Sequence, residues 1–265
     1  MDTHTDNAGV LLRQWRERRR LSQLALATKA SISQRHLSFV ESGRSRPSRD
    51  MVLHLGDQLD VPLRERNILL AAAGFAPYYP QTAPDDTGFD AMRQLIQRIL
   101  NGYMPHPALA ADRYWTLLAA NDAIRELLRD VDPKLLEGEV NVLRLSLHPD
   151  GLAPRIVNLR EWRHHLLARL DHDINVSADL KLVALRDEIA ALPVPLSRGP
   201  ERFGSLRESR LAVPLVLRTE NGPATFLSTT SVFGTSVDVT LSEVVIEAFF
   251  PSDVSSPQSA RARQR

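Results

Sequence analysis

No cysteine occurs in the 265-residue chain. That excludes a disulfide framework, thiolate zinc sites, iron–sulfur clusters and a cysteine nucleophile, and it fits a reducing, cytoplasmic setting. No run of about 18 or more apolar residues is found, so no membrane-spanning helix is expected. The opening MDTHTDNAGV has two aspartates and no basic stretch before an apolar one, so no secretory signal is expected. Glycine (12) and proline (17) are too sparse for a fibrous or low-complexity protein. Walker loops, Gly-x-Ser-x-Gly elbows and His-Glu-x-x-His motifs do not occur. The chain has 43% hydrophobic and 25% charged residues, an ordinary globular balance. Its length suits one large domain or two ordinary ones.

The net charge of +1 is unevenly spread. Residues 1–50 hold ten Lys/Arg against five Asp/Glu, whereas residues 78–265 hold twenty-one against twenty-four. A basic front on a mildly acidic body points to an anionic partner for the front alone.

Residues 1–77 read as five short helices. Val10, Leu11, Trp15 and Arg18 begin the first, which ends near Leu21. Ser22 precedes QLALATKA and Ser33 precedes QRHLSFVE, each as an N-cap, with Gly43 as the stop. Met51, Leu55 and Leu59 recur at helical spacing, and Pro62 opens a fifth helix ended by Gly74. The stretch FAPYYPQTAPDDTG follows, with three prolines and two aspartates, and a linker is placed at 78–88.

The segment SQLALATKASISQRHLSFVESGRSRP, residues 22–47, follows helix-turn-helix grammar. Leu26, Ala27 and Ala30 face inward, Ile32 plugs the turn, and Leu37 and Val40 hold the second helix down. Gln34, Arg35, Ser38, His36 and Phe39 are left outside. Arg can fork onto guanine and Gln onto adenine in a major groove. Ser33 and Gln23, at helix starts, and Arg44, Arg46 and Arg49 suit phosphates. A plain bundle with a solvated polar face would also explain short amphipathic helices. The two caps, the small-residue turn and the basic cluster favour DNA.

Residues 9–74 resemble helix-turn-helix regulators of the lambda-repressor and Cro (XRE) type. The resemblance rests on Leu21-Ser22-Gln23, Leu26-Ala27, Ala30, Ile32-Ser33, Leu37-Ser38, Glu41, Gly43 and Pro47. Ser31 departs from the glycine usual there. The resemblance implies that Gln34, Arg35, His36 and Ser38 lie at base edges, while Gln23 and Ser33 meet the DNA backbone.

Residues 89–253 read as a second domain of mixed type. Met92, Leu95, Ile96 and Ile99 mark a helix. PALAADRYWTLLAAN reads as two short strands, and Asn121 as the cap of a following helix. Periodicity cannot assign 141–147. Two longer helices follow, the second capped by Ser177 and ended by Pro193. Glu220-Asn221-Gly222 between apolar runs signals a hairpin. TLSEVVIEAFF reads as a strand, although its charges also allow a helix. The tail, 254–265, is expected to be disordered. The overall expectation is α+β: an all-α bundle of five helices, then helices on a mostly antiparallel sheet.

YWTLLAAN (114–121) and NVLRLSLHPDG (141–151) resemble the ligand-binding domain of MmyB-like regulators. The resemblance implies a PAS-like domain for fatty acids or other small apolar molecules. FLSTTSVFGTSVDVTLSEVVIEAFFP departs from the commonest ending of that family. Trp115, Leu143 and Trp162 are candidates to line a ligand cavity, and Arg144 and Asn121 to meet a ligand carboxylate. Core packing, a surface ion pair and a helix cap are the plainer roles for these residues.

Of His164, His165, His172 and Asp173, only His165 and His172 share a helix face, so no metal site is expected. No cofactor and no catalytic residue is nominated. The leading expectation is a cytoplasmic transcriptional regulator. It would bind operator DNA as a homodimer, sense a small apolar ligand and make no use of a membrane. A rear domain for protein interaction or dimerisation without ligand, or a hydrolase with an appended binding bundle, are the alternatives.

Overall fold

The computed structural model describes residues 7–83, 86–128, 130–177, 179–193, 212–220 and 222–252. The expected tail at 254–265 lies outside the described residues. The chain forms two compact units: residues 1–82 with 235–242, and residues 83–234 with 243–265.

The first unit opens with five helices: α1 (Ala8–Arg18), α2 (Gln23–Lys29), α3 (Gln34–Glu41), α4 (Arg49–Gln58) and α5 (Leu63–Ala72). Asn7, Ser22, Ser33 and Ser48 each cap a helix, the side-chain oxygen accepting a backbone N–H two or three residues on. The core is Leu12, Trp15, Leu26, Ala27, Leu37, Val40, Leu55, Leu59 and Leu70, all buried. Helix α1 buries Ala8, Leu12 and Trp15, while Val10 near its start faces outward. Ser31 takes φ +53°, the left-handed conformation that accounts for glycine being usual at this turn. Gly43, at φ +72°, ends α3 as expected.

The second unit carries α6 (Thr87–Gly102), β1 (Ala108–Ala111), β2 (Leu117–Ala120), α7 (Asp122–Leu127), α8 (Val142–Leu147), α9 (Leu159–Ser177) and α10 (Leu180–Ala191). It then adds β3 (Leu215–Thr219) and β4 (Gly222–Val232) and, after the short α11 (Val239–Ser242), β5 (Val245–Pro251). The sheet is antiparallel throughout, in the order β2-β1-β5-β4-β3. Helix α6 contacts β1 and β2. Side chains alternate across a sheet, and Leu109, Leu215, Phe226, Glu247 and Phe249 fall on one face. Most of this face joins a core with Trp162, Leu166 and Leu170 of α9 and with Leu143 and Leu145 of α8. The architecture is α+β with an antiparallel sheet, as expected.

One unassigned stretch is resolved and two local readings are corrected. Residues 142–147 form helix α8, capped by the Asn141 side chain. Asp179, not Ser177, caps α10; Ser177 ends α9, its hydroxyl donating to the Asp173 carbonyl. The stretch 239–251 is half helix and half strand, α11 then β5. Helix α11 belongs to the first unit, where Thr82 donates its amide (3.0 Å) and hydroxyl (2.8 Å) to Asp238 Oδ2.

Candidate nucleic-acid interface and ligand cavity

Helix α3 is anchored by Leu37 and Val40, both fully buried, one on each inward turn. That fixes its opposite face outward: Gln34 and Arg35 are exposed, and His36, Ser38 and Phe39 half-buried. The Ser33 hydroxyl accepts the His36 amide at 3.1 Å. The amides of Gln34 and Arg35, first in the helix, point out of its N-terminus. The Arg35 guanidinium lies 5.4 Å over the Phe39 ring and that of Arg44 6.0 Å from it, which holds two cations beside α3. Arg44, Arg46 and Arg49 are exposed.

A buried network sets how α3 sits. Arg16 of α1 donates from Nε and Nη2 to both Glu41 carboxylate oxygens, at 2.7 and 2.9 Å. Gln23 Nε2 adds a bond to Glu41 Oε2 at 2.8 Å. Arg16 Nη1 closes the loop onto the Leu21 carbonyl. Hydrogen bonding to Glu41 raises the Arg16 pKa further above its ordinary value, against the desolvation of burial. Three helices are thus tied at one polar point inside an apolar core.

In the second unit a cavity of about 60 Å³ lies between the sheet and helices α7, α8 and α9. Its wall includes Leu109, Leu127, Leu143, Trp162, Leu215 and Phe249, with Ser146 and Glu247 as polar members. The Trp162 indole N–H donates to Ser146 Oγ at 3.0 Å. Glu247 is 4% exposed, and Arg169 Nη1 donates to its Oε1 at 2.5 Å. Burial raises the Glu247 pKa, opposed by the charge and hydrogen bond of Arg169. The Arg169 guanidinium lies 4.3 Å over the Trp115 ring. Burial likewise raises the Asp173 pKa, opposed by Arg169 and by a hydrogen bond from Trp115.

Residues 92–262 match the family described as MmyB-like transcription regulator ligand binding domain. The chain belongs to the MmyB-like transcription regulators. Residues 8–69 match a helix-turn-helix domain family. The pair makes the chain a ligand-responsive transcription regulator with a DNA-binding helix-turn-helix, and neither family is a catalytic one. No curated protein matches the chain significantly.

In this regulator, Gln34, Arg35, His36 and Ser38 all lie on α3, with Ser33 at its cap and Arg44 and Arg46 just beyond it. Gln23 is half-buried, with its amide nitrogen engaged by Glu41. Leu143 and Trp162 line the cavity; Trp115, Asn121 and Arg144 do not. Trp115 backs Arg169. Asn121 stands at the start of α7 but makes no cap bond. Its side chain instead donates to the Leu100 and His106 carbonyls and accepts from the Ala108 amide, pinning α6 to β1. Arg144 makes a bidentate, half-exposed pair with Glu188 on α10, at 2.6 and 2.8 Å.

Sequence reasoning missed Ser146, Arg169 and Glu247. A usable signal existed for Glu247: it occupies the same inward strand face as Phe249, where alternation calls for an apolar residue. Among the described residues no three His, Asp or Glu side chains gather to hold a metal ion, and no helix is long and apolar enough to cross a membrane.

Proposed function

We propose that the regulator reads a specific operator through the outer face of α3, as a homodimer on a two-fold symmetric site in the cytoplasm. A small apolar molecule in the cavity of the second unit alters the protein's affinity for that operator. One observation carries the DNA half of this reading: Leu37 and Val40 are wholly buried while Gln34 and Arg35 on the same helix are exposed. Such a helix is held rigidly and offers guanine- and adenine-reading side chains outward. In this reading Gln23, Ser33, Arg44 and Arg46 position the DNA backbone.

The ligand half rests on the apolar wall. Its volume is room for roughly four to six water-sized groups, well under the ~150 Å³ that holds benzene in an engineered cavity. A long fatty acid would need the wall to open. The carboxylate partners expected for a fatty acid, Arg144 and Asn121, are committed elsewhere. We therefore favour a shorter apolar ligand over a long acyl chain.

Selection of the full chain on random duplexes, with and without a cell-lipid extract, tests the reading. Enrichment of a palindrome with half-sites about 10 base pairs apart, altered by the extract, is expected. Recovery of unselected sequence would refute operator reading. Enrichment indifferent to every extract would favour a second unit that serves protein interaction.

A further inference from the structure

Among the described residues the cavity wall has one charged member, and that residue is out of place by the ordinary rules. Glu247 sits on β5 opposite Leu109 of β1 and Thr230 of β4, on the sheet face that also carries Leu215, Phe226 and Phe249. A carboxylate buried among such residues persists only when paired. Arg169 pairs Oε1 at 2.5 Å, and its guanidinium lies 4.3 Å over the Trp115 ring. Among the described residues no donor reaches Oε2. One oxygen of a nearly buried carboxylate on the cavity wall thus still has acceptor capacity.

We propose that Glu247 reads the head group of the ligand: the cavity takes a short apolar molecule ending in a hydrogen-bond donor, an alcohol or a primary amine, in preference to a carboxylate of the same length. The inference rests on the reading that the second unit binds a small apolar molecule. A donor head completes the acceptor capacity of Glu247 while the alkyl body covers Leu143, Trp162 and Phe249. A carboxylate head would set a second negative charge against the first in a water-poor site, where like charges repel strongly. Its natural partner, Arg169, is already spent on Glu247.

The test uses the full chain and three probes of one length that suit the cavity of about 60 Å³, 1-propanol, propylamine and propanoate, at pH 7. Binding is followed by leucine and valine methyl shifts and by tryptophan fluorescence. The alcohol and the amine are expected to bind at least about tenfold tighter than the acid. Glu247→Gln should bring the amine to within about threefold of the alcohol and let the acid approach both. Should Glu247→Gln lose its circular dichroism signature of folding, Glu247→Asp replaces it, since that variant keeps the charge but withdraws the carboxylate. A ranking unchanged in the folded variant overturns the role of Glu247. Propanoate binding as well as or better than the others overturns the head-group preference yet leaves an apolar ligand in place. No methyl shift with any probe overturns both the head-group assignment and the ligand reading beneath it.

Discussion

Removing the Glu41 carboxylate would leave the Arg16 guanidinium, whose side chain is only 9% exposed, without its hydrogen-bonded partner and with only the half-exposed Glu17, 3.8 Å away, as counter-charge. Breaking one partner of a buried pair costs about 3–5 kcal/mol. That is a large share of the 5–15 kcal/mol that holds a typical domain. Glu41→Ala should therefore lower the urea midpoint of the first unit sharply, with Trp15 as a reporter in its core. A loss below about 1 kcal/mol would show the pair to be dispensable. His165 supplies a residue-scale test in the second unit. Burial, and then the positive charge of Arg169 one turn on, hold its pKa below the ordinary 6.5. The unfolded chain takes up this proton at higher pH than the folded one does. The stability His165 contributes is thus present above about 6.5 and lost as pH falls through the depressed folded value. His165→Gln should lose less stability than wild type between pH 7.5 and 5.5, by denaturant midpoints. A wild-type-minus-variant difference that does not change with pH would contradict this.

At the scale of elements, α1 meets α3 so closely that a Cβ on Gly9 would fall 2.1 Å from the Val40 carbonyl oxygen. Gly9→Ala should push the helices apart at a cost of roughly 1–3 kcal/mol, measured by chemical denaturation. A neutral or stabilising substitution would mean that α1 can shift freely. What was legible in the sequence divides along the same line of local against distant. Ser22 and Ser33 announce their helices because a cap bond spans three residues. The β1–β2 pair likewise closes over a short turn. Asn121 looked like a cap for the same local reason, but its partners lie thirteen to twenty-one residues away. Helix α8 is six residues long, too short for a period to emerge from an apolar run. The outer face of α3 could be read because Leu37 and Val40 mark its inner one. Arg169 and Glu247 come together across seventy-eight residues, and only folding reveals the pair.

For the molecule as a whole, the basic excess lies in the first fifty residues while the remainder carries a slight acidic excess. DNA affinity should therefore depend strongly on salt and arise from the first unit. The ligand can change that affinity only if it binds one state of the protein better than another. The role of α3 is tested most directly by titrating the full chain onto its selected duplex and onto a scrambled one at several salt concentrations. Wild type is compared with Arg35→Ala and Arg46→Ala. Arg35→Ala is expected to lose about 1–3 kcal/mol on the selected duplex, with little change on the scrambled one. Arg46→Ala should weaken both alike and reduce the log–log salt slope by about 0.9. Equal losses on the two duplexes for Arg35→Ala would contradict base reading by α3.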